Sequence, residues 1–297
     1  MFSNTSWWNP NATTFADNNT IGQSPFDIFI NTNNTIYVPN QQTGEIIIWS
    51  QENQTLITNN SNTNSNLSNS SSLFVTISGD IYMDTWNSFG GVSKWTSNFT
   101  SGILIMSTCQ NCYDLFIDIN NMLYCSLGEH HQVIAKSLSY SMKEYLIVAG
   151  TGSADMALNT LHNPRGIFVD INLDLYVADC GNNRIQLFHS GKLTGITIVG
   201  NISSNVTITL NCPTHIILDL HKDLFIVDNG NNRIVRSGLN GFQCIVGCSG
   251  SSGSASNQLN NPWAISFDSY GNIFVTDQGN NRIQKFTLLI NSSEYYV

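Results

Sequence analysis

Two carboxylates and one imidazole fall at the same position of an internal repeat, an arrangement that could hold a metal ion. They are Asp27, Asp114 and His215. Oxygen and imidazole donors suit several divalent cations, so a channel lined by these side chains could support metal-assisted hydrolysis or elimination. Arg165 and Trp263 stand one residue earlier in the repeat, where they would border the mouth of such a channel.

The placement of these side chains around a ring argues against a shared metal. The same repeat position holds Gly166 and Ala264 in two further copies, and neither offers a ligand. A metal needs donors that converge to about 2.0–2.6 Å from one point, and short aspartate side chains from alternate copies would stop short of it. We therefore expect solvated rim residues without a common metal or other cofactor, and treat the two aspartates, the histidine, the arginine and the tryptophan as candidate ligand-binding residues.

Seven cysteines offer a second kind of chemistry. Cys109 and Cys112 have the Cys-x-x-Cys spacing of metal and redox sites, but no second pair at zinc spacing and no βαβ unit accompanies them. Disulfides are favoured instead, and the odd count leaves one thiol free or intermolecular. Two links are predicted from placement on one face of neighbouring repeats and from closeness in sequence, respectively: Cys180 to Cys212, and Cys244 to Cys248.

A near-identical heptad fixes the repeat that positions these residues. Asp179-Cys-Gly-Asn-Asn-Arg-Ile185 returns 49 residues later, and again after another 49, beginning at Asp228 and at Asp277. A period of this size is typical of propeller blades, because one small sheet cannot bury both faces alone. Each heptad follows two apolar runs joined by a polar turn, which predicts strand, hairpin and strand. The same frame finds six repeats, with blade cores near 25–49, 70–95, 112–136, 164–188, 213–236 and 262–286.

The polar residues of the heptad recur in blade after blade, which favours a structural role over a catalytic one. We expect each aspartate to bond backbone amides beyond its turn, each glycine to adopt a positive φ, and each arginine to brace the nearby carboxylate. The residues are Asp179, Gly181, Arg184, Asp228, Gly230, Arg233, Asp277, Gly279 and Arg282.

The last repeat lacks a fourth strand, since little apolar sequence follows Phe286. An orphan strand at Ala12–Ala16 is predicted to supply it and so to close the ring, which removes an open sheet edge. Ring closure makes residues 1–297 one domain. The low-complexity stretch 50–72 is expected to form a disordered polar loop between the first two blades.

The motif Pro-x-Gly-Ile-Phe-Val-Asp, then Leu-Tyr-Val-Ala-Asp, then Gly-Asn-Asn-Arg-Ile-Gln resembles the NHL repeat. The resemblance is strongest in the last three repeats and covers nearly the whole chain. It implies an all-β, six-bladed β-propeller with four antiparallel strands per blade. It implies little about activity, because related propellers include protein- and RNA-binding platforms, a peptide-amidating lyase and calcium-dependent lactonases.

The composition of the chain indicates where the protein is located. Charged residues make up 10% of the chain, against about 25% in average domains. No run approaches the roughly 18 apolar residues of a membrane helix, so no membrane insertion is expected. The first 20 residues lack the features of a signal peptide, so a secreted protein would be represented here by a mature form or a fragment. Cysteine usage and Asn-x-Ser/Thr acceptors nevertheless favour an extracellular or lumenal glycoprotein. The acceptors are Asn4, Asn11, Asn18, Asn33, Asn53, Asn59, Asn66, Asn69, Asn98, Asn201, Asn205 and Asn291.

Three classes of function remain open. The leading one is a non-catalytic binding propeller that presents loops to a protein, peptide or glycan, since no motif for a nucleophile, a general base or a phosphate loop is recognisable. The second is a metal-assisted lyase or hydrolase at the channel mouth. The third is an RNA-binding or ubiquitin-ligase module of the cytosolic kind. It is disfavoured because a net charge of −9 lacks the basic footprint that nucleic acid requires, and because no RING or B-box segment is present.

Overall fold

The protein is a six-bladed β-propeller, as the sequence predicts. The computed structural model describes residues 7–50, 54–57, 70, 72–84, 90–96, 102–108, 110–139, 144–200, 208–238 and 241–289. Six four-stranded antiparallel sheets form the ring, and each inner strand contacts the inner strands of the neighbouring sheets. No helix in these ranges is long and apolar enough to span a membrane.

The elements follow in chain order. Ahead of the first blade lie β1 (Trp7–Trp8), β2 (Thr13–Ala16) and helix α1 (Asn18–Ile21). The first three blades contain β3 (Phe29–Ile30), β4 (Ile36–Asn40), β5 (Glu45–Trp49), β6 (Gln54–Ile57), β7 (Leu73–Val75), β8 (Ile81–Asp84), β9 (Val92–Trp95), β10 (Gly102–Met106), β11 (Leu115–Ile117), β12 (Met122–Leu127), β13 (Gln132–Ser137) and β14 (Leu146–Ala149). The last three contain β15 (Pro164–Val169), β16 (Leu175–Asp179), β17 (Arg184–Phe188), β18 (Ile196–Gly200), β19 (Pro213–Leu218), β20 (Leu224–Asp228), β21 (Arg233–Gly238), β22 (Gly241–Val246), β23 (Pro262–Phe267), β24 (Ile273–Asp277) and β25 (Arg282–Phe286). A final strand, β26 (Leu288–Leu289), follows.

Strand order within each blade follows the chain from the channel outward, with one exception at the sixth blade. The first blade shows where the polar stretch 50–72 was misjudged. Its outer strand β6 lies within that stretch and pairs with β5 from Gln54 to Ile57. The edge of β5 needs a partner, and this requirement outweighs the polar composition of the segment. Most of the remaining stretch lies outside the described residues.

The sixth blade closes the ring with the N-terminal strand. Strand β2 pairs with β25, and the register places Thr13 opposite Lys285. A second contact was not predicted: β1 pairs antiparallel with β26. There the side chain of Trp8 is buried, packs edge-on against Phe225, and donates from Nε1 to the carbonyl of Gly271 at 2.8 Å. The N-terminal segment thus fastens two blades together.

The hydrophobic core lies between adjacent sheets. Strands β16, β20 and β24 are buried at every position, because each sits inside a sheet covered on both faces. One core cluster joins Val177 and Phe188 of the fourth blade to Val133 and Ala135 of the third. The propeller is therefore stabilised mainly by contacts between blades.

The heptad turns hold a buried ion pair. Asp179 accepts a hydrogen bond from Arg184 Nε at 2.7 Å, and the pairs Asp228–Arg233 and Asp277–Arg282 repeat it. The predicted Asx turn is wrong. The aspartate bonds the amide of His162, which precedes it in the chain, at 2.7 Å. The loop entering the blade needs this acceptor, since its amides face no strand partner.

The prediction of a positive φ at the heptad glycines is also wrong. The left-handed residue of each turn is the second asparagine, as at Asn183 with φ 53°. Gly181 is needed for a close approach instead, because a Cβ there would lie 2.7 Å from the carbonyl oxygen of His162. Gly230 and Gly279 face equivalent crowding from the segments that precede them.

The left-handed residue of each turn also makes what we call the inter-blade bond, in which its side chain accepts the amide of the next blade. Asn183 Oδ1 accepts from Cys212 N at 2.7 Å. In the third blade a histidine replaces the asparagine, and its Nδ1 accepts from the next blade at 3.1 Å. In the same way, Asn232 Oδ1 accepts from the amide of Asn261, and Asn281 Oδ1 accepts from the amide of Ser24.

The described residues form three disulfides. Cys180–Cys212 links neighbouring blades, and Cys244–Cys248 closes a short loop after the outer strand of the fifth blade; both agree with the sequence prediction. The third, Cys112–Cys125, joins the segment just before the inner strand β11 to the second strand β12 of the third blade, and it was not predicted. Cys112 is therefore tied within its own sheet, while Cys109 lies outside the described residues.

Candidate functional site at the channel mouth

The candidate residues meet at the end of the central channel where the six inner strands begin. Asp27, Asp114 and His215 line one partly open cavity of about 140 Å³. The side chains of both aspartates are buried, and that of the histidine is 14% exposed. The expectation of solvated rim residues is therefore wrong for these three, because each inner strand packs against the next and covers them.

Both carboxylates hold the next inner strand. Asp27 accepts from the amide of Leu73 in the second blade at 2.8 Å, and Asp114 accepts from the amide of Ile167 in the fourth at 2.7 Å. The hydroxyl of Ser72 donates to Asp114 at 3.4 Å. These aspartates thus bond main-chain donors of strands that have no ladder partner on the channel side.

Burial shifts the pKa values of Asp27, Asp114 and His215. Burial raises the pKa of Asp27 to about 6, although the hydrogen bonds from the amides of Leu73 and Ile28 oppose this rise by favouring the charged form. Burial and the neighbouring charge of Asp27 also raise the pKa of Asp114 well above its usual range. Burial lowers the pKa of His215 to about 4, so its imidazole is neutral at neutral pH.

The arrangement does not form a ligand set for a metal in the described part of the chain, where no three His, Cys, Asp or Glu side chains converge. His215 Nε2 lies 3.8 Å from an oxygen of Asp114. Its Nδ1 is buried and has no hydrogen-bond partner among the residues that the structure describes. This nitrogen can exchange a hydrogen bond with a molecule that enters the cavity.

Aromatic rings line the next layer of the channel. Phe29, Phe74, Phe116 and Phe168 occupy equivalent positions in four consecutive blades, and neighbouring rings meet with centroids 4.9–5.5 Å apart. All four line the cavity. The sequence contained the signal, a phenylalanine two residues after Asp27, Asp114 and Gly166, but the apolar runs that hold these phenylalanines predicted only strands.

The rim above the cavity carries a cation between aromatic rings. The guanidinium of Arg165 lies 3.6 Å from the ring centroid of Tyr113 and 5.4 Å from that of Trp263. Trp263 in turn packs edge-on against Phe26. Because Tyr113 belongs to the third blade and Trp263 to the sixth, the arginine of the fourth blade reaches across the mouth.

Tight packing brings these groups together. A Cβ on Gly166 would lie 2.6 Å from the Cα of His215, so only glycine allows the fourth and fifth inner strands to approach this closely. The two candidate rim residues, Arg165 and Trp263, therefore converge, and Tyr113 and Phe26 join them although sequence analysis did not select them.

The NHL repeat matches residues 161–188 and 259–286. These segments include the first three strands of the fourth and sixth blades. Two blades of this six-bladed propeller, the fourth and the sixth, thus carry NHL repeats. No curated protein sequence matches it.

Solved propellers show the same fold at low identity. A protein of unknown function from Bacteroides thetaiotaomicron aligns with TM-score 0.71 and 13% identity, over 97% of this chain and 74% of its own. An auxiliary nutrient binding protein of the same bacterium gives 0.69 and 17%, over 97% and 74%. Virginiamycin B lyase from Staphylococcus aureus gives 0.63 and 13%, over 94% and 99%. Similarity at such low identity establishes the fold only, and the activity has to be argued from the residues of the site.

Proposed function

We propose that the protein is a non-catalytic binding propeller whose ligand, a protein, peptide or glycan, is held at the channel mouth. The observation that carries this proposal is the rim of Tyr113, Arg165 and Trp263 above a partly open cavity. A concave, mostly apolar pocket with a few convergent polar groups is the usual form of a ligand site. The aspartates below bond main-chain amides, so they serve the walls of the pocket.

An extracellular or lumenal location fits the same proposal. Three disulfides are typical of a protein outside the cytosol. Among the described Asn-x-Ser/Thr acceptors, Asn11, Asn18 and Asn33 have exposed side chains that could carry a glycan. One nutrient binding protein of similar fold is consistent with a binding role.

Peptide and glycan arrays probed with the purified protein test the proposal. Trp263→Ala should abolish capture of the ligands that bind the protein. Tyr270→Ala is the matched control, since Tyr270 is an exposed aromatic in the hairpin between β23 and β24, at the other end of the strands. Circular dichroism checks that both variants are folded. Capture that survives Trp263→Ala, or a ligand recovered chemically altered after incubation, would contradict a binding role at the mouth.

A further inference from the structure

Arg165 differs from every other arginine of the chain. Four of the five arginines pair with an aspartate at 2.8 Å or less: Arg184, Arg233, Arg236 and Arg282. Arg165 makes no ion pair or hydrogen bond with any residue that the structure describes, and its Nε is buried without a partner. Leaving a buried donor without an acceptor is costly. The position therefore indicates an acceptor that comes from outside the chain.

Stacking prepares this guanidinium for a planar anion. The Cζ atom of Arg165 lies 3.6 Å from the ring centroid of Tyr113 and 5.4 Å from that of Trp263. A cation over an aromatic face is held by the ring quadrupole. The N–H donors lie in the plane of the guanidinium, so stacking on its face leaves them available. Their fork geometry matches a carboxylate bidentately.

The cavity beside the rim suits an apolar body. Its volume is about 140 Å³, and four phenylalanine side chains line it. A dry, engineered cavity of about 150 Å³ in another protein holds benzene. His215 Nδ1 adds one unpartnered polar atom to the wall. A ligand can therefore place a ring or a branched aliphatic group in the channel and keep its charge at the mouth.

Charge favours a carboxylate over a phosphate. Asp27 and Asp114 line the same cavity, and the nearest partners of both are neutral amides and a hydroxyl. A phosphate monoester carries close to two negative charges at neutral pH, so whatever negative charge Asp27 and Asp114 retain repels it about twice as strongly as it repels a carboxylate. The net charge of −9 adds to this repulsion.

We infer that the channel mouth binds a carboxylate attached to an apolar body about the size of a benzene ring. The carboxylate pairs with Arg165, and the apolar body fills the cavity among the phenylalanine rings. This inference rests on the proposed function and names the chemistry of its ligand. Two sources present this chemistry, a peptide that ends in an apolar residue and a free aryl or branched alkyl acid.

Calorimetric titration of the full chain with matched probes tests the inference. N-acetyl-L-phenylalanine represents the peptide terminus and 3-phenylpropanoate the free acid, and the amide of each serves as its uncharged control. Each acid should bind roughly 10-fold or more tightly than its amide, as expected when a hydrogen-bonded charge is lost. N-acetylglycine should bind about 10-fold or more weakly than N-acetyl-L-phenylalanine, because it leaves the cavity unfilled. Tighter binding of N-acetyl-L-phenylalanine than of 3-phenylpropanoate assigns the peptide source, and equal or weaker binding assigns the free acid.

Variants separate the charge from the fold. Arg165→Gln should remove the preference for acid over amide, and Arg165→Lys should retain part of it. Lys192→Gln removes one exposed positive charge far from the mouth and should leave the preference intact. An acid preference that survives Arg165→Gln, or equal affinity for acid and amide, overturns the inference. If arrays still show capture that depends on Trp263, the proposed function stands without it; if that capture is absent as well, both fall.

Discussion

Replacement of Asp179 by asparagine should destabilise the protein more than the same change at Asp277 in the sixth blade. Asp179 and Arg184 are both fully buried, and the carboxylate accepts three hydrogen bonds, from the amide of His162, from Asn182 and from Arg184. Burial raises the pKa of Asp179, and the three donors oppose that rise. Asp179→Asn removes the charge that balances a buried guanidinium.

The cost follows from this burial. Breaking a buried ion pair by removing one partner typically costs about 3–5 kcal/mol, because the other charge stays unpaired in a dry site. In the sixth blade Arg282 is 14% exposed, so water can reach it when Asp277 is replaced. We expect Asp277→Asn to cost about 1.5–3 kcal/mol, the usual worth of a hydrogen bond to a charged group.

Urea denaturation under non-reducing conditions measures both variants against the parent protein. Tryptophan fluorescence and circular dichroism should give coincident transitions, which is the condition for comparing free energies of unfolding. The reasoning fails if Asp179→Asn costs less than about 1 kcal/mol, the size of an ordinary neutral hydrogen bond. It also fails if Asp277→Asn costs as much as Asp179→Asn.

Three further outcomes test other parts of the fold. Trp8→Ala should lower the free energy of unfolding by about 3–5 kcal/mol, as for other buried tryptophans, whereas Trp7→Ala, at an exposed position, should change it little; equal effects would contradict the role of β1. Burial and neighbouring histidines lower the pKa of His131 below its ordinary 6.5, so its contribution to stability is present above that pH and is lost as the pH falls through the lowered pKa. His131→Asn introduces the asparagine that the other turns have at this position, and it should flatten this part of a plot of melting temperature against pH. An unchanged slope would contradict the role assigned to His131. Gly166→Ala should cost about 1–3 kcal/mol through overpacking against the next inner strand. Gly238→Ala should be nearly neutral by the same urea assay, because among the described residues its new Cβ would meet nothing closer than 3.8 Å.

The internal repeat predicted the propeller, because each blade repeats one local sequence pattern. Strands β16, β20 and β24 and the closing strand β2 lie where that pattern places them. The shift of the positive φ from Gly181 to Asn183 could not be read from the heptad. Both residues tolerate turns, and only the approach of the preceding loop decides between them.

The mouth was harder to predict, because it depends on contacts between blades. The sequence shows Asp27 and Asp114 at equivalent positions, but it does not show that the next inner strand offers each an amide. Nor does it show that Arg165 reaches from the fourth blade toward the sixth. Such contacts depend on the curvature of the ring, and a single repeat carries no information about that curvature.

In the described part of the chain, the inter-blade bond crosses four of the six junctions between blades, and one of these is the junction where the last blade meets the first. The bond between Asn281 and Ser24 joins the last blade to the first. Like the bond between Asn183 and Cys212, it joins an asparagine Oδ1 acceptor to a main-chain amide donor. A circular permutant opened at the exposed Gly191–Lys192 turn, between β17 and β18, should therefore keep all four of these bonds.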